Sequence, residues 1–224
     1  MYSALFVDID GTITDANRRI ECNALETLRN LNEKIIVVLT SGNVLPVAYG
    51  IAQITGVSGP IIAENGGVVL LNNTIELLCT NEEIKAVENW FNSIKGKIKC
   101  QRLFTDRWRL TEIGLKPDVD FEALTALTET ASVQIERTGF AVHIMPPGIS
   151  KANAMVHVCK KLGIAPSACI AIGDGDNDAG MLAIAGFSGA PANASERAKK
   201  SAKYVAKSAY GAGFVEIIRH SGVL

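Results

Sequence analysis

Two aspartates, Asp8 and Asp10, close an apolar run and are followed at once by Gly11 and Thr12. If strand geometry continues through the pair, both carboxylates point to one side, and Gly11 lets the chain turn away sharply. Carboxylates placed together repel unless a proton or a cation joins them. A second acidic run, Gly173-Asp174-Gly175-Asp176-Asn177-Asp178, follows another apolar run, with Asp174 and Asp178 able to face one way as a helix begins. Oxygen donors of this kind, few in number and with room left for water and phosphate, suit a hard cation, and magnesium in particular. As a calcium EF-hand loop the run fails twice, because Ala179 replaces the turn glycine and Ala185 stands where a bidentate glutamate is required. As a dinucleotide fingerprint it fails because Asp178 occupies the third glycine position, and no GxxxxGK[ST] loop occurs in the chain.

For the acids to meet, separate strand ends must lie on one edge. Short apolar runs at Ala4 to Val7, Ile35 to Leu39, Ile61 to Ala63, Cys169 to Ile172 and Phe187 to Ala190 are each followed by polar or glycine-containing text. Being apolar on successive residues, they read as strands covered on both faces. Helical patterns at Asn23 to Asn32, Lys151 to Leu162, Asp178 to Ala185 and Gly213 to Arg219 lie between and after them, the order of βαβ units. The fold class is therefore α/β, a doubly wound parallel sheet. In such a sheet all carboxyl ends share one edge, where open α/β folds bind ligands. That edge gathers Asp8 and Asp10, Thr40-Ser41-Gly42, Glu64-Asn65-Gly66, the Asp174 loop and Ala192-Asn193.

The middle of the chain reads differently. Asn72-Asn73 between VVLL and TIELL predicts a tight hairpin. Beyond it come a helix (Glu82 to Ile94), strands (Ile98 to Leu103 and Trp108 to Ile113), a second helix (Phe121 to Ala131) and two more strands (Val133 to Glu136 and Phe140 to Met145). This is an αββ unit occurring twice, enough for a small α+β domain. Met145-Pro146-Pro147-Gly148 breaks the pattern before Lys151 opens a new helix. The expected organisation is a catalytic core of residues 1–80 and 150–224, with an α+β cap of residues 81–149 inserted.

With 224 residues, 48% of them hydrophobic, and 22 Lys+Arg against 23 Asp+Glu, the chain can bury a substantial core. The formal net charge of -1 provides no long-range attraction for nucleic acid or anionic lipid, so no nucleic-acid or membrane partner is expected. Apolar runs such as Ile35 to Leu39 fall far short of the ~20 residues needed to span a bilayer. The N-terminus lacks a basic segment and a cleavage site, so a cytoplasmic protein is expected, as monomer or homodimer. Cys22, Cys79, Cys100, Cys159 and Cys169 include no CxxC pair, and their apolar neighbours predict buried, reduced thiols.

DxDGT at Asp8 to Thr12, a strand-end hydroxyl at Ser41, a lone Lys151 opening a helix, and GDGxND at Gly173 to Asp178 resemble, in order, the four motifs of the haloacid dehalogenase superfamily. The likeness spans nearly the whole chain. Glu64-Asn65-Gly66 and NASERAKKSAKYV are similar to its Cof-type branch, whose cap is inserted between the second and third motifs. Within that branch the short cap and overall length resemble the archaeal phosphoglycolate phosphatases. The resemblance implies a Rossmann-like core and a magnesium-dependent phosphatase of small phosphate esters. Asp8 would be the nucleophile that forms an aspartyl phosphate, and Asp10 the acid that protonates the leaving oxygen and then deprotonates water. Mg2+ would be held by Asp8, the Asp10 carbonyl, Asp174 and Asp178, the last directly or through water. Ser41, Gly42, Lys151 and Asn177 would hold the transferring oxygens. The implied substrate is 2-phosphoglycolate. A sugar phosphatase or phosphosugar mutase of the same superfamily is the alternative. A phospho-accepting module like a response-regulator receiver also places acids, a hydroxyl and a lysine at strand ends, but the inserted cap and the Asp8/Asp10 pair argue against it.

Other features have plainer readings. Thr40 competes with Ser41 for the hydroxyl role, and a strand-end hydroxyl is commonly a helix cap. Asn177 either contacts phosphate or orders its loop. Lys95, Lys97 and Lys99 alternate, as the solvated face of a strand would. A cap arginine or lysine is the alternative, reading a substrate carboxylate. His143 is expected as a packed or exposed strand residue, Glu196 to Lys203 as a charged helix surface, and Trp90 with Phe91 as cap core.

Overall fold

The computed structural model describes residues 2–128 and 131–224. Nineteen helices and strands define it. They begin with β1 (Ala4–Asp8), α1 (Cys22–Asn32), β2 (Ile36–Thr40), α2 (Leu45–Thr55) and β3 (Ile61–Ala63), then a hairpin of β4 (Val68–Leu71) and β5 (Thr74–Leu77). The middle holds α3 (Asn81–Ile94), β6 (Ile113–Leu115), α4 (Phe121–Thr128), β7 (Gln134–Arg137) and β8 (Val142–Met145). The chain returns through α5 (Lys151–Leu162), β9 (Cys169–Ile172), α6 (Ala179–Ile184), β10 (Phe187–Ala190), α7 (Glu196–Ser201), β11 (Tyr204–Val205) and α8 (Tyr210–Ser221).

The main sheet has eight strands in the order β11-β10-β9-β1-β2-β3-β4-β5. It is parallel from β11 to β3 and closes with the antiparallel β3-β4-β5 meander. The expected α/β class is therefore what the chain adopts. Alternate residues of β1 and β2 enter two separate cores. Leu5, Val7, Val37 and Leu39 pack with α1, α2 and α8 on one face, while Ala4, Phe6 and Val38 meet Ala154, Met155 and Val158 of α5 on the other. This parity decides where Asp8 points: two residues beyond Phe6, it lies on the α5 face. The Asn72-Asn73 turn has φ of 50 and 61°, the left-handed pair a two-residue hairpin demands.

A separate antiparallel sheet, β6-β8-β7, packs against α3 and α4 through Val87, Phe91, Leu124, Val142 and Ile144, with Trp90 half-buried beside them. It has three strands where the doubled αββ pattern predicts four. The first expected strand is reduced to the Arg102↔Leu115 bridge. The second moves to β6, and Phe104–Trp108 forms a 3-10 turn instead. The cause is competition for backbone donors. The Asp106 carboxylate takes the Gly114 N–H at 2.6 Å, and the Glu64 carboxylate takes the Leu110 and Thr111 N–H groups at about 3.0 and 2.9 Å, so these groups cannot serve a ladder. Lys95, Lys97 and Lys99 are exposed, as a solvated face requires, but lie in a turn and loop and not on a strand. The expected helix end at residues 129–130 lies outside the described residues. Of the five cysteines only Cys159 and Cys169 are buried; Cys22 at the start of α1 is exposed, and Cys79 and Cys100, which lie in connecting segments, are intermediate. Among the described residues no helix is long and apolar enough to cross a membrane.

Candidate active site

The strand ends on the carboxyl edge converge on one cluster. Carboxylate oxygens of Asp8, Asp174 and Asp178 lie within 4.8 Å of one another. Asp8 ends β1, Asp174 lies just beyond β9, and Asp178 closes the 3-10 turn Asp176–Asp178 that leads into α6. Lys151 opens α5 behind the Ser150 N-cap and is buried. Its ammonium donates to Asp8 Oδ1 at 2.5 Å and to Asp178 Oδ1 at 2.7 Å. Burial works against the charge on Lys151, but the Asp178 and Asp8 carboxylates outweigh it and raise the ammonium well above its ordinary value. Burial also pushes Asp8 well above the usual carboxylate range, with Lys151 opposing and Asp178 and Asp174 adding to the rise. Asp174 is pushed up to about 7, by burial first and then by Asp178.

Not every oxygen of the cluster is used. Asp178 Oδ2 accepts the Asp174 and Gly175 N–H groups at 3.0 and 2.8 Å, and Thr12 donates to Asp174 Oδ1 at 3.0 Å. Among the described residues nothing donates to the second oxygen of Asp8 or of Asp174. Three crowded carboxylates answered by one ammonium, with two oxygens left as bare acceptors, fit a hard divalent cation. Gly11, at φ 84°, passes so close to the Asp174 carboxylate that any side chain there would collide with it.

The strand geometry stops at Asp8. Ile9 and Asp10 turn away, and the Asp10 carboxylate leaves the cluster to accept a hydrogen bond from Arg18 Nε at 2.8 Å. Asp8 and Asp10 still line one cavity of about 560 Å³, together with Gly42, Asp174, Asn177 and Asp178. Ser41 is buried and its Oγ accepts the Asn43 N–H at 2.9 Å, a turn within the loop and not the cap of α2. Thr40 Oγ1, in register with Asp8, is buried without a partner. Asn177 donates to Asn65 Oδ1 at 2.9 Å, so its amide orders a loop.

That loop belongs to a second buried polar cluster, which the sequence reading missed as a unit. Glu64, Asn65 and Gly66 all have positive φ, 50, 55 and 106°. A side chain on Gly66 would strike the Ser150 carbonyl, so only glycine lets this loop lie against the start of α5. Glu64 accepts from Thr111 Oγ1 at 2.7 Å besides the Leu110 and Thr111 amides, and burial raises its carboxyl despite these bonds. Glu112 accepts from Asn65 Nδ2 at 3.0 Å, from His143 Nδ1 at 2.8 Å and from Arg109. Arg109 Nη1 also donates to the Gly42 carbonyl at 3.1 Å. Burial, then the Arg109 charge, lowers His143 to about 3, so its Nδ1–H donates as a neutral imidazole. Glu64-Asn65 was legible as strand-end polar text; Arg109, Glu112 and His143 were not, since their partners are distant in sequence.

The model of the haloacid dehalogenase-like hydrolases matches residues 5–112 and 84–218. The chain belongs to that family. Proteins named phosphoglycolate phosphatase are similar throughout: that of Archaeoglobus fulgidus is 38% identical over 221 residues, covering 99% of this chain and 97% of the relative. That of Picrophilus torridus is 35% identical over 221 residues, covering 98% and 92%. The crystal structure of Thermoplasma acidophilum 0175 superposes with a TM-score of 0.90 at 28% identity and full coverage of both chains. A haloacid dehalogenase-like hydrolase from Bacteroides thetaiotaomicron shares the fold, with a TM-score of 0.80 at 21% identity, over 99% of this chain and 100% of that one. Membership of this hydrolase family accords with the eight-stranded sheet, the separate three-stranded sheet and the acidic cluster at the sheet's carboxyl edge.

Proposed function

We propose that this chain is a magnesium-dependent phosphomonoesterase acting through an aspartyl phosphate on Asp8, with 2-phosphoglycolate as substrate and glycolate and phosphate as products. The observation that carries the reading is the Asp8 carboxylate. One of its oxygens is held by Lys151, the other accepts nothing among the described residues, and Asp8 borders the cavity. A carboxylate oxygen of Asp8 attacks phosphorus; the bond from phosphorus to the ester oxygen breaks, and Asp10 gives its proton to the departing oxygen. Asp10 then takes a proton from water as that water attacks the aspartyl phosphate, releasing phosphate and restoring Asp8. Lys151 neutralises Asp8 before attack and the transferring oxygens during it. Ser41, Gly42 and Asn177 bound the phosphoryl site.

Asp8, the Asp10 main-chain carbonyl and Asp174 would hold magnesium, which when bound supplies positive charge against the phosphate dianion. Both Asp178 oxygens already accept hydrogen bonds, which supports contact through water for that residue. Residues 81–149 are read as the cap over this site, inserted into a core of residues 1–80 and 150–224. The name carried by the archaeal relatives supports phosphoglycolate as substrate.

A phosphate-release panel of small esters, run with magnesium and with chelator, tests the reading beside Asp8→Asn. The variant should fold and lose at least about a thousandfold in kcat. Undiminished turnover would sink the nucleophile assignment. A hexose phosphate converted to its isomer without free phosphate would point to a mutase instead.

A further inference from the structure

Acids dominate the cavity above Asp8, and among the described residues only two cationic side chains line it, Arg18 and Arg137. They are not equivalent. The Arg137 guanidinium, on β7, lies over the ring of Phe121 at the start of α4, 5.6 Å from its centroid. Arg18 sits beside the reacting atoms. Its backbone is left-handed, at φ 62°, in a tight turn where its N–H meets the Asp15 carbonyl at 2.9 Å and the Asp15 N–H meets the Arg19 carbonyl at 2.8 Å. Asp15 is itself neutralised by Arg19, at 2.7 Å. The turn sends Arg18 back to Asp10, where Nε donates at 2.8 Å, and the guanidinium carbon lies over the Phe140 ring, 4.6 Å from its centroid.

Among the described residues Nε is the only side-chain nitrogen of Arg18 with a protein partner, and the side chain is half exposed. The two terminal nitrogens therefore present a free pair of parallel donors, a shape that fits a carboxylate bidentately. Its place relative to Asp10 matters most. A residue bonded to the acid that protonates the leaving oxygen must lie beside whatever that oxygen carries. In 2-phosphoglycolate the leaving oxygen carries one methylene and then a carboxylate. The geometry points to Arg18 as the specificity-determining residue, its terminal nitrogens reading a carboxylate on the leaving group while Phe140 holds its plane. This rests on the phosphomonoesterase reading above and adds to it the residue that selects the substrate class.

The test compares kcat/KM for 2-phosphoglycolate with that for ethyl phosphate, which has the same leaving geometry and no carboxylate, in the full-length protein and in Arg18→Met, Arg18→Lys and Arg137→Met. Ethyl phosphate turnover reports any general effect on Asp10, and the ratio isolates carboxylate recognition. Arg18→Met should lower the ratio about 10- to 100-fold, mainly through KM for phosphoglycolate, and Arg18→Lys should restore part of it. Thermal melts confirm that each variant is folded. A ratio within threefold of wild type in Arg18→Met overturns the proposal, as does a fall confined to Arg137→Met; wild-type preference for phosphoglycolate would then stand on its own. If the wild type ignores phosphoglycolate but prefers a larger carboxylate-bearing ester such as 3-phosphoglycerate, and Arg18→Met abolishes that preference, the proposal holds and the phosphoglycolate reading fails. Wild type indifferent to any carboxylate overturns both.

Discussion

Two buried polar clusters lie side by side in this hydrolase, and among the described residues their unmet charged groups have opposite signs. Around Lys151, the bare carboxylate atoms are acceptors, one oxygen each of Asp8 and Asp174, and both residues border the cavity. Around Glu112, every carboxylate oxygen of Glu64 and Glu112 accepts a bond, and the bare atoms are donors, Nε and Nη2 of Arg109. The Arg109 side chain is 1% exposed and turned to the protein interior, away from the cavity that Asp8 borders. Burial of ionised groups is costly in both places. The first cluster is built to be completed by something that arrives. The second is closed on itself and joins the Gly42 and Asn65 loops to the segment that follows the 3-10 turn at Phe104–Trp108.

The comparison breaks most severely at Lys151. Lys151→Met leaves Asp8 and Asp178 without their cation, which should destabilise the metal-free protein by roughly 3–5 kcal/mol and lower its melting temperature by about 10 °C. Added magnesium should restore part of that loss, while phosphate release stays depressed at least about a hundredfold. An unchanged melt would show that the ammonium is not what holds the acids together. Glu112→Gln is the matched change in the closed cluster. It removes the charge facing Arg109, and the expected cost is about 2–3 kcal/mol by thermal melting. The stabilisation conferred by magnesium should be the same as in wild type, because no cavity oxygen is altered.

How far each cluster could be read from the sequence follows from the same contrast. Asp8, Lys151, Asp174 and Asp178 lie at starts and ends of regular elements, so the parity of β1 and the first turn of α5 fix their directions. Asp10 lies past the last strand residue, so the condition for it to share the side of Asp8, strand geometry continuing through both, is not met, and its carboxylate accepts from Arg18 instead. The parallel core strands were legible because both faces are apolar. The three-stranded layer was misread at Ile98 to Ile113 because Asp106 and Glu64 take backbone donors that an alternating pattern assigns to a ladder. Long-range pairing of this kind, 46 residues apart for Glu64 and Leu110, leaves no local trace.

Gly66→Ala tests the point where the clusters touch. The added methyl meets the Ser150 carbonyl and the left-handed backbone resists it, so a loss of about 1–3 kcal/mol is expected. Because Ser150 caps the helix that Lys151 opens, phosphate release should fall as well. A folded variant with wild-type turnover would separate the loop from the site.

The smallest effect is the most diagnostic of the open cluster. Asp174 is raised to about 7 from an ordinary value of 3.8, and Asp8 is raised too, so the folded protein holds protons that the unfolded chain gives up. Their contribution to stability is therefore full below pH 4 and is lost as pH rises through about 7. On the proposed reading a divalent cation would replace those protons. Its effect on the melting temperature should be near zero at pH 5 and grow to roughly 3 °C at pH 8. His143 behaves oppositely: held neutral down to about 3, it favours the folded state above the ordinary histidine range and loses that contribution as pH falls toward 3. Magnesium should not alter this acid limb, since the imidazole faces Glu112 and not the cavity. Melting curves from pH 4 to 8 with and without magnesium thus separate the clusters. A magnesium effect of equal size at both ends of that range would mean that the ion is not exchanging with protons on Asp8 and Asp174.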